Sequence, residues 1–279
     1  MACLNMDSKF RPGVGNGEKS FELSEPAIVS RSGNCSFTSE WYEIASDDHF
    51  WMQWRFSVFK EFLGMLNVQI RDRLNVLEIG CGKGVFLKQL EENTDWETTG
   101  VDMNMEALNN SMAKRSRLFF YDITEEKPMF NQVYDIVVLM DVLEHIEKPC
   151  EFLVSCFSCL RSGGILIVNV PALQSMYSVY DKVMGHLRRY DNRTLLKELE
   201  LIEGKNVITV YWGITLLPVL FLRKLLISKN RMQENIVEKG FMPMGRLSHM
   251  LLVFLMRLEL FFFKKPPIGT SLMGAIFKK

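Results

Sequence analysis

Between Val76 and Gly84 the chain reads VLEIGCGKG, an apolar run that ends in a glycine-rich turn and opens into a helical pattern. Glycine permits the left-handed backbone such a turn needs, and the missing side chains let backbone amides approach a ligand. Glu78 stands two positions before the first glycine, so the spacing is ExGxGxG and not the GxGxxG of dinucleotide sites. A carboxylate at the mouth of the loop repels a pyrophosphate and attracts an ammonium group. Asp102 ends the next apolar run and can accept hydrogen bonds from both hydroxyls of a ribose. Further on, Asp122 can take the exocyclic amine of adenine while Ile123 packs on the ring.

A second set of residues suits proton transfer. His145 closes the segment Asp141-Val-Leu-Glu-His145, and His186 lies in Gly185-His-Leu-Arg-Arg-Tyr190. Histidine is the natural base near neutral pH, and both positions follow apolar runs, where open α/β sheets bind ligands. His145 and His186 are therefore the catalytic candidates. An arginine fork at Arg188 and Arg189 would suit a phosphate on the acceptor. His249 opens an apolar helix and carries no expected role.

Other patterns were weighed and set aside. Gly13–Ser20 has glycines and a lysine, but with the wrong spacing for a phosphate loop and Arg11-Pro12 where a strand is required. Cys156 and Cys159 have CxxC spacing inside an apolar helical pattern, without a second pair, so no metal site is expected.

The elements that position these groups alternate. Candidate strands cover 74–79, 98–101, 117–121, 134–140, 164–170, 206–211 and 271–277. Candidate helices cover 84–92, 105–112, 148–160 and 193–201, with an aromatic-rich helical stretch from Trp41 to Ile70 in front. Continuous apolar runs such as Ile136–Met140 suit strands covered on both faces, and strand–helix alternation implies a parallel sheet with right-handed crossovers. Residues 1–40 read as a flexible lead, 41–72 as a helical cap and 73–211 as the core. Residues 212–270 are an apolar helical insertion ahead of a last strand at 271–279. The apolar stretches Ile214–Ile227 and Met250–Phe263 contain charges and fall short of a spanning helix. They suit core packing, a membrane interface or a homodimer contact.

Composition bounds the rest. In 279 residues, 33 Lys+Arg balance 33 Asp+Glu, which removes the electrostatic footprint of a nucleic-acid binder, and 48% hydrophobic content rules out global disorder. Six scattered cysteines do not make a disulfide framework, and the first twenty residues have no signal-peptide pattern. A cytoplasmic location, peripheral on the inner face of the membrane if the insertion docks there, is the expectation.

Taken together, VLEIGCGKG, the GVD strand end, the YDI pair and DVLEHI occur in the order and spacing of the class I S-adenosylmethionine-dependent methyltransferases. The chain resembles their broad type-11 group, which includes quinone-biosynthesis and bacterial lipid or saccharide enzymes. The resemblance covers residues 74–170 and is looser outside them, where His49 and Trp51 with Arg55, and Arg189 and Tyr190 in the 185–190 segment, resemble elements that flank the acceptor cavity in some bacterial members. It implies a doubly wound, mostly parallel seven-stranded sheet, the last strand antiparallel beside the sixth. It implies S-adenosyl-L-methionine as cofactor, with Glu78, Gly80, Cys81 and Gly82 at the methionine part. By the same resemblance Asp102 with Met103 holds the ribose, Asp122 with Ile123 holds adenine, and Met140 with Asp141 closes over the methionine. The expected acceptor is a hydrophobic or membrane-associated small molecule such as a quinone precursor, a polyprenyl conjugate or a lipid-linked saccharide. A soluble saccharide, a non-catalytic cofactor-binding subunit and a dehydrogenase are the competing readings, the last disfavoured by the glycine spacing.

Overall fold

The computed structural model describes residues 25–30, 48–70, 72–125, 127–229 and 246–279, with backbone alone at 225–229 and 246–248. Gly13–Ser20, Trp41-Tyr42, Cys3 and Cys35 lie outside the described residues. The strands are β1 (Ala27–Ile28), β2 (Asn75–Ile79), β3 (Glu97–Asp102), β4 (Arg117–Phe120), β5 (Tyr134–Met140), β6 (Leu160–Pro171), β7 (Gly204–Trp212) and β8 (Ser271–Lys278). They form one sheet in the order β1-β4-β3-β2-β5-β6-β8-β7. All pairings are parallel except those of β8, which runs antiparallel between β6 and β7. The expected seven strands become eight, because two residues of the N-terminal lead add an edge strand to β4. A two-residue strand leaves no periodicity to read. Val29 and Ser30 donate their amides to the Phe120 carbonyl at 3.0 and 3.2 Å, so this part of the lead is docked.

From β2 the chain winds outward through β3 to β4, then returns to the other side of β2 as β5. That reversal leaves a crevice outside the carboxyl ends of β2 and β5, where the connecting loops diverge. Side-chain alternation builds the two faces. Leu77, Ile79, Val137, Leu139, Leu166 and Val168 belong to one apolar cluster. Val76, Ile136, Val138, Met140, Ile165 and Ile167 belong to the other, with the aromatic side chains of α1 (Phe50–Met65). Glu78 shares the parity of Val76, so it projects toward α1. Helices α2 (Val85–Asn93), α3 (Met105–Asn109), α4 (Pro149–Ser158), α5 (Val179–Val183) and α6 (Asn192–Glu200) follow the strands. Cys156 and Cys159 are free thiols inside the apolar cluster of α4.

The insertion forms α7 (Leu217–Lys229) and α8 (Arg246–Phe262). Glu259 of α8 is 2% exposed, and its sequence neighbours are apolar. Its Oε1 accepts from the Gly213 amide at 2.6 Å; its Oε2 accepts from the Thr215 amide and hydroxyl at 3.0 and 2.9 Å. A carboxylate from one helix thus caps the turn that starts the other, satisfying amides that a helix N-terminus leaves open. Glu259→Ala strands these buried donors and is expected to cost about 2 kcal/mol, lowering Tm by roughly 5 °C in a thermal melt. An unchanged Tm would show that the cap contributes nothing.

Candidate functional site

The loop from β2 into α2 takes its shape from glycines. Gly80, Gly82 and Gly84 have φ of +74°, +52° and +67°, a region that a Cβ makes costly. At Gly80 a Cβ would also lie 2.6 Å from Cγ2 of Val142. A valine there would therefore collide with the loop after β5. Asp102 braces the loop: its Oδ2 accepts from the Gly82 amide at 2.7 Å and its Oδ1 from the Asn104 amide at 2.8 Å. Burial raises the Asp102 carboxyl above its ordinary range, only partly offset by the amides of Gly82, Asn104 and Met103. Met103 is half-buried in the same turn, and Cys81 is buried under it.

Four acids crowd this crevice, with Arg55 reaching in among them. Glu78 is 2% exposed and its Oε2 has no hydrogen-bond partner. Burial pushes its carboxyl up to about 8, against the pull of Arg55 and with the push of Asp102. Arg55, on α1, places Nη1 at 2.7 Å from Oδ2 of Asp141, both side chains mostly buried. Asp141 holds φ of +61°, strained for a residue with a Cβ, just past Met140 at the end of β5. Its Oδ1 accepts from Nδ2 of Asn169 at 2.6 Å, and Oδ1 of Asn169 accepts from the Trp212 indole at 2.9 Å. Trp212 in turn stacks on Trp51 at 4.6 Å between ring centres. Arg55, expected to meet the acceptor, is instead the counter-ion of the crevice. Trp51 remains half-buried beside it. Asn169 and Trp212 escaped the sequence reading, since an asparagine in an apolar strand and a tryptophan at a strand end look like core.

The far end of the crevice holds Asp122, whose Oδ1 accepts from the Thr124 amide and hydroxyl at 2.9 and 2.7 Å. The Asp122 amide donates to Ser30 Oγ at 2.9 Å, so the docked lead supports this turn. Ile123 is buried in the apolar cluster with Phe119, Tyr121 and Phe130.

His145 and His186 meet, with ring centres 4.9 Å apart and nearly perpendicular. Nδ1 of His145 lies 3.1 Å from the Gly185 carbonyl, which only accepts, so the proton is on Nδ1. Burial and the neighbouring His186 lower His145 to about 4, leaving a neutral ring. Nδ1 of His186 lies 3.1 Å from Oδ1 of Asp181, a fully buried acid of α5. Burial alone would raise Asp181, but His186 and Arg189 outweigh it and hold its carboxyl at about 2. Nε2 of His186 sits 3.9 Å from Oε1 of Glu144. Glu144 is fully buried, and neither of its carboxylate oxygens has a hydrogen-bond partner. Burial and Asp141 push its carboxyl well above the usual range. The ligand atoms of Glu144, His145 and His186 lie within 4.8 Å of one another, an arrangement able to take a divalent cation.

The remaining acceptor candidates have structural partners. Arg189 is buried, donating from Nε to Oδ1 of Asp181 at 2.7 Å and from Nη1 to the Ala172 carbonyl at 3.1 Å. Tyr190 is 1% exposed and belongs to the core. Arg188 donates to the carbonyls of Ile146 and Glu147, which fastens the loop instead of forming a fork with Arg189. His49 is buried and caps α1, its Nδ1 accepting from the Trp51 amide at 3.2 Å. Asp181 and Glu144 were missed as site residues. The EH pair in DVLEHI was the available signal for Glu144, whereas no pattern marks Asp181.

The crevice suits a cationic nucleoside on its own chemistry. A buried carboxylate with an orphaned oxygen is stabilised by an ammonium group, and Asp102 offers a charged acceptor at the loop that a ribose would meet. For a pyrophosphate the same acids are repulsive.

A family model described as a methyltransferase domain matches residues 37–208, more than half of the chain. A ubiquinone biosynthesis O-methyltransferase of Colwellia psychrerythraea is 28% identical over 102 residues, covering 34% of this chain and 41% of that protein. A probable S-adenosylmethionine-dependent methyltransferase of Mycolicibacterium smegmatis is 30% identical over 98 residues, 35% of this chain and 38% of its own. The chain thus spans about two fifths of the length of the curated relatives it matches. Among solved structures, the plantazolicin methyltransferase bound to S-adenosylhomocysteine superposes with a TM-score of 0.53 at 14% identity, covering 87% of this chain and 89% of that one. The [4+2]-cyclase SpnF does so with 0.52 at 14%, covering 84% and 85%.

Because its folded-state pKa is raised, Glu78 stabilises the unliganded fold below about pH 4.5, and that contribution fades as pH rises toward 8. Ligand binding has the opposite sign, since an ammonium beside Glu78 expels its proton. Titration calorimetry with S-adenosylmethionine at pH 6.5, in buffers of different ionisation heat, is expected to show release of up to about one proton per site. Glu78→Gln should remove that release and weaken binding. Buffer-independent heats in the wild type would contradict the assignment.

Proposed function

Since the chain belongs to the class I S-adenosylmethionine-dependent methyltransferases, we propose that it methylates a hydroxyl group on a hydrophobic small molecule such as an alkylated phenol, a quinone precursor or a lipid-linked acceptor. The observation that carries this reading is the Asp181–His186 pair at the carboxyl edge of the sheet. Asp181, held ionised by His186 and Arg189, fixes the imidazole with Nδ1 protonated, which leaves Nε2 as the basic nitrogen. That nitrogen lies 3.9 Å from Oε1 of Glu144. An orienting carboxylate behind a histidine is the arrangement that draws a proton from a hydroxyl as it attacks.

S-adenosylmethionine, when bound, supplies a methyl group already activated by its sulfonium. Glu78, the glycine loop and Asp102 would hold it, with Asp122 at the adenine end. Arg55 keeps Asp141 in its strained conformation and tempers the mutual repulsion of the acids. The aromatic wall of Trp51, Trp54 and Trp212 excludes water from the side of the crevice facing α1. Alignment and desolvation are the protein's share of the rate enhancement.

A hydrophobic acceptor is supported by half-buried Trp51 beside the crevice and by the partial relatives whose names specify ubiquinone biosynthesis. The neighbouring cyclase fold shows that architecture by itself fixes no reaction. A labelled-methyl assay with isoprenylated phenols and with free sugars tests the acceptor class: transfer to the phenols is expected, and transfer to sugars alone would overturn it. His186→Gln is expected to lower kcat by about 10²-fold with unchanged affinity for S-adenosylmethionine. An unchanged kcat would remove His186 from the mechanism.

A further inference from the structure

Helix α8 is apolar on both sides, which a helix packed on one face has no reason to be. Leu252, Val253, Met256 and Leu260 point inward and join the core cluster that includes α1. On the other side, Met250, Leu251, Phe254, Leu258, Phe261 and Phe262 are between 40% and 79% exposed. At 100° per residue these six fall within one arc of about 120°, so they form a continuous stripe along the helix. Arg257 lies at the edge of that arc and is exposed, and exposed Lys264 and Lys265 follow the helix end directly. The acid of this helix, Glu259, is turned inward onto Gly213 and Thr215. The same insertion exposes Phe221 and Leu222 on α7.

From these observations we propose that the outer face of α8 docks on an anionic membrane surface, with its phenylalanines in the interfacial region and Arg257, Lys264 and Lys265 at the headgroups. No helix among the described residues is long and apolar enough to cross a membrane. A helix of 17 residues with an apolar stripe and basic flanks instead lies in the plane of the interface. Contiguous exposed apolar surface of this kind marks an interaction site. Charge decides the occupant: a contact between two copies of this stripe would offer these cations no acid to answer them. Anionic lipid answers them directly. The helix starts beside the cap of α1, where the His249 and Phe50 rings approach to 6.4 Å. Through this contact the inner side of the start of α8 packs beside the end of α1 that carries His49 and Trp51.

The inference concerns the surface and stands whichever acceptor is used. Flotation with phosphatidylcholine vesicles, with and without 30% phosphatidylglycerol, tests it on the full chain. Wild type is expected to bind the anionic vesicles about tenfold or more above the neutral ones. Phe254→Ser with Phe261→Ser should reduce that binding at least about tenfold, with Tm and S-adenosylmethionine affinity unchanged, since neither side chain touches the core. Lys264→Gln with Lys265→Gln should remove the preference for anionic lipid. Methyl transfer to a detergent-dispersed acceptor by the phenylalanine variant separates loss of docking from loss of the proposed chemistry. The proposal is overturned if wild type ignores both vesicle types or if the phenylalanine variant binds as well as wild type. It is equally overturned if light scattering shows a dimer that these substitutions dissociate.

Discussion

The ion pair between Arg55 and Asp141 is the interaction on which the site depends. Glu78, Asp102, Asp141 and Glu144 are gathered at the carboxyl edge of β2, β3 and β5, and two of them are almost completely withdrawn from water. Concentrating carboxylates in this way costs more than their packing returns unless a cation shares the space or some of them take up protons. Arg55 supplies the cation, and the raised carboxyls of Glu78 and Glu144 show that it does not neutralise them all. The residual negative character is what a positively charged sulfur nucleoside would complete. Because Arg55 comes from α1, that helix is part of the acidic crevice and not an accessory to it.

The fold serves this arrangement by placing three unrelated loops against one another. The reversal of strand order at β2 brings the glycine turn and the Asp141 loop side by side, close enough that a methyl group at Gly80 would strike Val142. Asn169 then ties β6 to the Asp141 loop, and the Trp212 indole ties β7 to Asn169. Behind them the loop of residues 172–190 carries Asp181 and His186 over Glu144. It is anchored by Arg189 and by the bridge between Ala172 and Tyr190. The two halves of the site therefore share the segment from Asp141 to His145, which touches both the cofactor crevice and the histidine pair.

Much of this was readable before any coordinates. The continuous apolar runs of β2, β5 and β6 located the central strands to within a residue or two, apart from a longer N-terminal start to β6, and the ExGxGxG spacing located the loop. Individual roles were less legible where long-range partners decide them. Family resemblance alone places Arg55, Arg189 and Tyr190 at the acceptor. Tertiary partners 86, 8 and 47 positions away turned them into a counter-ion, a brace for Asp181 and a core residue. Glu259 read only as a charge that spoiled a membrane span, and its work as a cap depends on a turn 44 to 46 residues distant. Local sequence carries no signal for such pairs. The edge strand at Ala27–Ile28 escaped for the opposite reason, being too short to show a period.

The central claim is that this acidic crevice binds a cationic sulfur nucleoside. Equilibrium dialysis of the purified protein against labelled S-adenosylmethionine, with nicotinamide dinucleotide as competitor, addresses it directly. One molecule bound per chain and undisturbed by the dinucleotide is the predicted result; an empty protein, or displacement by the dinucleotide at equal concentration, would contradict it.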